Sequence, residues 1–96
     1  MPAAFPVVFA LYPDITQLDF TAPLEVLSRL PGASVRLASV AGGELGASGG
    51  LTFARLERLD AVVECQVLCV PGGFGTAQAM ADEAYLGHLV RLAADA

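Results

Sequence analysis

The stretch Val67-Leu68-Cys69-Val70-Pro71-Gly72-Gly73-Phe74-Gly75 decides how this chain reads. An apolar run that stops at tandem glycines describes a buried strand whose backbone is laid bare at its carboxyl end. Bare N–H groups can hold an anion, and open α/β sheets place their ligands at the carboxyl ends of their strands. The same residues also make an ordinary turn, because proline presets φ and glycine tolerates positive φ. Two readings therefore stand for Gly72 and Gly73: a cradle of backbone amides, and a purely structural stop.

Working outward, Val7-Val8-Phe9-Ala10-Leu11-Tyr12 is a second short apolar run, bounded by Pro6 and by Pro13-Asp14. Its β-branched and aromatic members predict a central parallel strand with both faces buried. The period then changes. Leu18, Pro23, Val26, Leu27 and Leu30 recur at helical spacing up to Pro31-Gly32, which predicts a helix from Thr16 to Leu30. Pro23 implies a kink or a restart, with Thr21 as a second cap. Ser34 to Val40 reads as the next strand and ends in the glycine-rich stretch Gly42 to Gly50, completing a β-α-β crossover.

Leu51 to Ala54 is a short strand or hairpin arm, Leu56 to Asp60 reads either way, and Cys65 to Val70 is a third parallel strand. Asp82 is placed to cap a last helix whose stripe is Leu86, Leu89, Val90 and Ala93, with His88 solvated on the other side. A parallel sheet that stops after this helix leaves the Cys65 to Val70 strand as an apolar edge.

Ninety-six residues make one domain at most, expected to be a single incomplete domain over 1–96, and a chain of this size buries roughly two-thirds of its unfolded surface. Hydrophobic residues are 55% and charged residues 16%, a balance that excludes disorder and favours a sheet covered on both faces. Ten acids against five arginines, with no lysine, disfavour a nucleic-acid or anionic-membrane partner. The amino terminus carries no positively charged leader and no apolar run nears the ~20 residues of a membrane span, so the expected location is cytoplasmic.

Cys65 and Cys69 lie four apart in one extended segment, about 13 Å between Cα atoms and beyond the ~7 Å reach of a disulfide. With His88 as the sole histidine, no metal-ligand cluster forms, and the two read as buried, inert thiols. Neither a nucleotide-binding glycine loop nor a serine elbow is present, and no cofactor is implied.

Asp19 is the residue out of place. On a continuous helix it shares the sheet-facing stripe with Pro23 and Val26, and a carboxyl group buried there suits proton transfer. Alternatively, Thr16-Gln17-Leu18-Asp19 is a capping box, in which Asp19 holds a backbone N–H. Glu25 and Asp82 read as a solvated helix residue and a cap.

Taken together, the first strand, the run Tyr12-Pro13-Asp14-Ile15-Thr16-Gln17-Leu18-Asp19-Phe20-Thr21-Ala22-Pro23-Leu24-Glu25-Val26-Leu27 and the turn Val70-Pro71-Gly72-Gly73-Phe74-Gly75 resemble the ThiJ/PfpI superfamily. This is a class I glutamine amidotransferase-like group, and the closer similarity is to its isonitrile hydratase branch, whose first-helix acid is Asp rather than Glu. The resemblance runs along nearly the whole chain. It implies an α/β fold: a partial flavodoxin-like three-layer sandwich with a parallel sheet, truncated before the nucleophile-elbow strand.

It further implies that Asp19 is the general acid/base and that the Gly72 and Gly73 amides face a cysteine nucleophile. That thiolate attacks an isonitrile carbon, and water releases an N-substituted formamide, a carbon–nitrogen lyase reaction. The family's cysteine follows the next strand, past Ala96, and neither Cys65 nor Cys69 replaces it. As given, the chain is expected to be inactive alone. A small-molecule substrate or ligand and a homo-oligomer are the expected partners. The competing expectation is a non-catalytic ligand-sensing module of the kind found before AraC-type DNA-binding regions.

Overall fold

The structure, a computed structural model, describes residues 5–94 and 96. Residues 1–4, on which the expectation about a leader rests, lie outside the described residues. The elements in chain order are β1 (Phe5–Leu11), α1 (Gln17–Leu27), β2 (Ala33–Ser39), β3 (Gly43–Gly46), β4 (Thr52–Arg58), β5 (Val67–Cys69), α2 (Thr76–Met80) and α3 (Glu83–Ala93). One mixed sheet has the order β3-β4-β2-β1-β5. β1, β2, β4 and β5 run parallel, while β3 pairs antiparallel with β4 across a register shift between Gly43 and Leu45.

β1 sits at the centre of the core, as its unbroken apolar run demands, with Val7 through Leu11 all buried. Successive side chains of a strand point to opposite faces, and here the two faces are claimed by different helices. Phe9 meets Phe20 of α1 edge to face at 5.4 Å, while the Ala10 carbonyl accepts the Tyr85 hydroxyl of α3 at 2.6 Å. Tyr12 and Tyr85 stack edge to face at 5.6 Å on the α3 side. The result is the flavodoxin-like helix–sheet–helix sandwich expected from the sequence.

Several local expectations are corrected. α1 ends at Leu27 and runs through Pro23 without a restart. Its buried face is Phe20, with Leu24 and Leu27 packed behind, whereas Leu18 and Val26 are 61% and 64% exposed. Phe20 wins because it alone reaches both Phe9 and Phe53, whose ring lies 4.9 Å away. The buried stripe of α3 is likewise Tyr85, Leu89 and Leu92, offset by one residue from expectation, with Val90 exposed. Tyr85 can be buried because its hydroxyl finds the Ala10 carbonyl.

β4 extends into the segment that read either way as far as Arg58, where a 3-10 turn at Leu59–Ala61 follows, and β3 occupies what read as glycine-rich loop, so β5 is the fourth parallel strand rather than the third. Cys65 precedes β5 and is buried, with its Sγ 3.8 Å from the Leu92 carbonyl. Asp82 caps α3 as expected, accepting from the amides of Ala84 and Tyr85 at 3.0 and 3.2 Å. Glu25 is exposed and pairs with Arg29 one turn on. His88 is half-buried rather than free in solvent, with Nδ1 2.9 Å from Arg91. Among the described residues no helix is long and apolar enough to cross a membrane.

Candidate active site

The chain leaves β1 toward α1 on one face, and leaves β5 toward α2 and α3 on the other. The crevice between the carboxyl ends of β1 and β5 is thus a switch point of the kind where open α/β sheets bind ligands. Two loops meet there, Pro13–Thr16 and Pro71–Gly75, and they are sewn together by backbone. The Thr16 amide donates to the Gly72 carbonyl at 2.9 Å, the Gly75 amide to the Asp14 carbonyl at 3.2 Å, and Ile15 bridges Gly73 antiparallel.

This approach is closer than any side chain permits. A Cβ on Gly75 would lie 1.9 Å from the Pro13 carbonyl oxygen, and one on Gly73 would lie 2.4 Å from the Thr16 nitrogen. Gly73 also holds φ at 155°, a conformation that residues with a side chain rarely adopt. The glycines of the turn are therefore there for contact as much as for turning.

Three consecutive carbonyls of the turn are engaged on the protein side. Pro71 accepts the Tyr12 hydroxyl at 2.5 Å, Gly72 accepts the Thr16 amide, and Gly73 accepts the Thr76 hydroxyl at 2.7 Å. The amides of Gly72 and Gly73 donate to no described residue. A peptide plane whose oxygen is tied down presents its N–H elsewhere, which is the requirement for holding an anion.

Asp19 stands in the first turn of α1, beside this loop. A Cβ built on Gly72 would lie 3.1 Å from Asp19 Oδ2. The expected burial of this acid is corrected: Asp19 is exposed. α1 turns Phe20 to the core, so its neighbour faces out past β5, the outermost strand on that side. The capping-box reading is corrected too. Thr16 makes no side-chain cap, its amide is spent on Gly72, and the α1 terminus is capped from another loop by Ser48, whose Oγ accepts the Gln17 amide at 2.9 Å. Pro23, lacking an N–H, also leaves the Asp19 carbonyl without its usual helical donor.

Cys69 lies on β5 before the turn, half-buried, and burial pushes its thiol pKa up, with the nearby Cys65 adding a smaller push. A raised thiol is a poorer nucleophile at neutral pH. Among the described residues no group of three or more His, Cys, Asp or Glu is placed to hold a metal ion. Sequence reasoning singled out Asp19 and the two glycines, which the structure sets side by side, and passed over Tyr12, Thr76 and Ser48, whose hydroxyls hold the backbone around them. Their hydroxyls were the only signal.

Comparison with known proteins places the chain in a family. The DJ-1/PfpI family matches residues 6–96. The chain is 34% identical over 93 residues to isonitrile hydratase of Pseudomonas putida, a match covering 97% of this chain and 41% of that enzyme. A THiJ/PfpI family protein from Pseudomonas syringae shares the fold with a TM-score of 0.91 at 23% identity, over 98% of this chain and 40% of that one. An AraC family transcriptional regulator from Pseudomonas putida does so with a TM-score of 0.57 at 23% identity, over 73% of this chain and 48% of that one. The chain spans less than half the length of these relatives. With a family match that takes in both the Asp19 turn and the glycine turn, this chain belongs to the DJ-1/PfpI family.

Proposed function

We propose that this chain supplies two parts of an isonitrile hydratase-like site: an acid, Asp19, and an anion-holding pair of amides, Gly72 and Gly73. The observation that carries the reading is the turn itself. Its three carbonyls are tied to Tyr12, Thr16 and Thr76, its two amides are unengaged, and the Asp19 carboxylate lies against it. The similarity to isonitrile hydratase supports the substrate class.

In this proposal a cysteine thiolate adds to the terminal isonitrile carbon, water adds to the resulting adduct, and the thiolate leaves. The net change is one water added to the isonitrile to give an N-substituted formamide. Asp19 carries protons between water and the adduct, and the amides stabilise the oxyanion formed as water adds. Cys65 and Cys69 both precede the turn, so the nucleophile comes from outside this segment and the 96-residue chain is inactive by itself. Small-molecule binding, self-association and a cytoplasmic location belong to the same proposal.

A chimera tests it: residues 1–96 joined to the remaining portion of the Pseudomonas putida enzyme, assayed for formamide release from an alkyl isonitrile. Turnover by the chimera, its loss in Asp19→Asn, and no turnover by the 96-residue chain are the expected results. A folded chimera in which Asp19→Asn keeps full activity would falsify the role of the acid. A second reading, a ligand-sensing module joined to a DNA-binding region, draws on the fold shared with the AraC family regulator. It predicts ligand binding without turnover in the same chimera.

A further inference from the structure

Of the two amides in the proposed cradle, one is set by backbone and the other by a side chain. A carbonyl oxygen and the N–H of the following residue lie in one rigid peptide plane, so whatever holds the oxygen also aims that N–H. The Gly73 N–H shares its plane with the Gly72 carbonyl, which accepts the backbone amide of Thr16 at 2.9 Å. The Gly72 N–H shares its plane with the Pro71 carbonyl, which accepts the Tyr12 hydroxyl at 2.5 Å. The first bond needs no particular residue at position 16 beyond an N–H. The second needs a donor on the side chain at position 12.

Tyr12 is placed to hold that direction. It follows the last residue of β1, is 3% exposed, and sets its ring edge to face against Tyr85 at 5.6 Å. Tyr85 is itself fixed by its hydroxyl on the Ala10 carbonyl at 2.6 Å. The packed core thus reaches the turn after β5 through two tyrosine rings.

A proton count separates Tyr12 from its neighbour. The Tyr12 oxygen also lies 3.0 Å from Thr76 Oγ1, which is 2.7 Å from the Gly73 carbonyl oxygen. Three contacts share two protons, because each hydroxyl has one to donate. The two shorter contacts end on carbonyl oxygens, which can only accept, so the protons go to Pro71 and Gly73. Thr76 therefore competes for the Tyr12 proton, and its own bond sets the plane of the Phe74 N–H, outside the Gly72–Gly73 pair.

We propose that Tyr12 is a positioning residue: its hydroxyl, acting through the Pro71 carbonyl, aims the Gly72 amide into the cradle, a role that Thr76 does not share. The effect on turnover rests on the isonitrile hydratase reading; the aiming of the amide does not.

The test has one arm for each. In the 96-residue chain, proline labelled with ¹³C at the carbonyl and glycine labelled with ¹⁵N select the Pro-Gly pairs, of which there are two, Pro31-Gly32 and Pro71-Gly72. Tyr12→Phe is expected to move the Pro71-Gly72 signal and leave Pro31-Gly32 in place, whereas Thr76→Ala, which removes only the competitor, moves the Pro71-Gly72 signal far less. A signal unmoved by Tyr12→Phe, or moved as much by Thr76→Ala, would overturn the proposal. In the chimera, Tyr12→Phe is expected to lower kcat about tenfold or more with KM unchanged, since deleting an oxyanion donor outright costs roughly 10²–10³. Full kcat in that variant of an active chimera, or a loss confined to KM, would overturn the role in turnover. A parent chimera without activity would instead count against the hydratase reading, and the Pro71-Gly72 signal would still decide what Tyr12 does.

Discussion

The amide of Thr16 donates to the carbonyl of Gly72 over 2.9 Å, tying the start of α1 to the turn that follows β5. This bond has two effects on the candidate site. It takes the N–H that Asp19 would have held in a capping box, so the carboxylate is left to face the turn. It also fixes the orientation of the Gly72 carbonyl toward the protein and so turns the neighbouring amide away from it.

Substitutions along the turn should separate contact from chemistry. Gly75→Ala drives a methyl group into the rigid Pro13 backbone and is expected to cost about 2–4 kcal/mol, read from the urea midpoint. Gly72→Ala meets only the movable end of the Asp19 side chain and should cost less than about 1 kcal/mol. A Gly75→Ala protein as stable as the parent would mean the two loops do not pack as described.

Tyr12→Phe keeps the ring contact with Tyr85 and deletes the donor to the Pro71 carbonyl. Leaving a buried acceptor unmet costs about 1–3 kcal/mol. Hydrogen exchange at the Gly72 to Gly75 amides should accelerate more than exchange at the centre of β1. Uniform acceleration across the sheet would instead assign Tyr12 to global stability alone.

The thiols should behave as structural groups. Burial raises the Cys69 pKa, so alkylation by iodoacetamide at about pH 8 is expected to run several-fold slower than for an unhindered thiol. Cys65, buried against α3, should label only when urea is added. Rapid labelling of Cys69 at neutral pH would contradict its assignment as a non-nucleophile.

Arg36 and Glu57 join β2 to β4 through a two-pronged pair, at 3.0 and 2.6 Å. The hydrogen bond from Arg36 is the main reason the Glu57 carboxyl is held below its ordinary value of 4.5, with a further coulombic pull and burial opposing. A depressed folded pKa contributes stability that is present above pH 4.5 and lost as pH falls through the folded value. Both side chains are a third or more exposed, so the contribution should stay below about 1 kcal/mol. The urea midpoints of wild type and Glu57→Gln should differ at about pH 7 and converge at about pH 3. A gap that persists undiminished in acid would remove the ion pair as its cause.

Legibility varied with how local the cause was. β1, Asp82 as a cap and the strand-to-glycine turn were readable because their signals lie within a few adjacent residues. β3 was not, since Gly43-Glu44-Leu45-Gly46 has no strand pattern and becomes a strand only because β4 lies beside it. The buried faces of α1 and α3 were each misplaced because spacing marks several apolar residues as equivalent, and only Phe53 and the Ala10 carbonyl distinguish Phe20 and Tyr85 from them.

What the sequence by itself determined is the central apolar strand, the parallel α/β class and the glycine turn at a strand end, because hydrophobic periodicity and backbone freedom are properties of neighbours in the chain. What only the tertiary structure decided is that Asp19 is exposed yet set against Gly72, and that Tyr12 and Thr16 hold the carbonyls of Pro71 and Gly72. Those facts join residues more than fifty positions apart, and contacts of that range arise from how strands are ordered in a sheet, which no local pattern encodes.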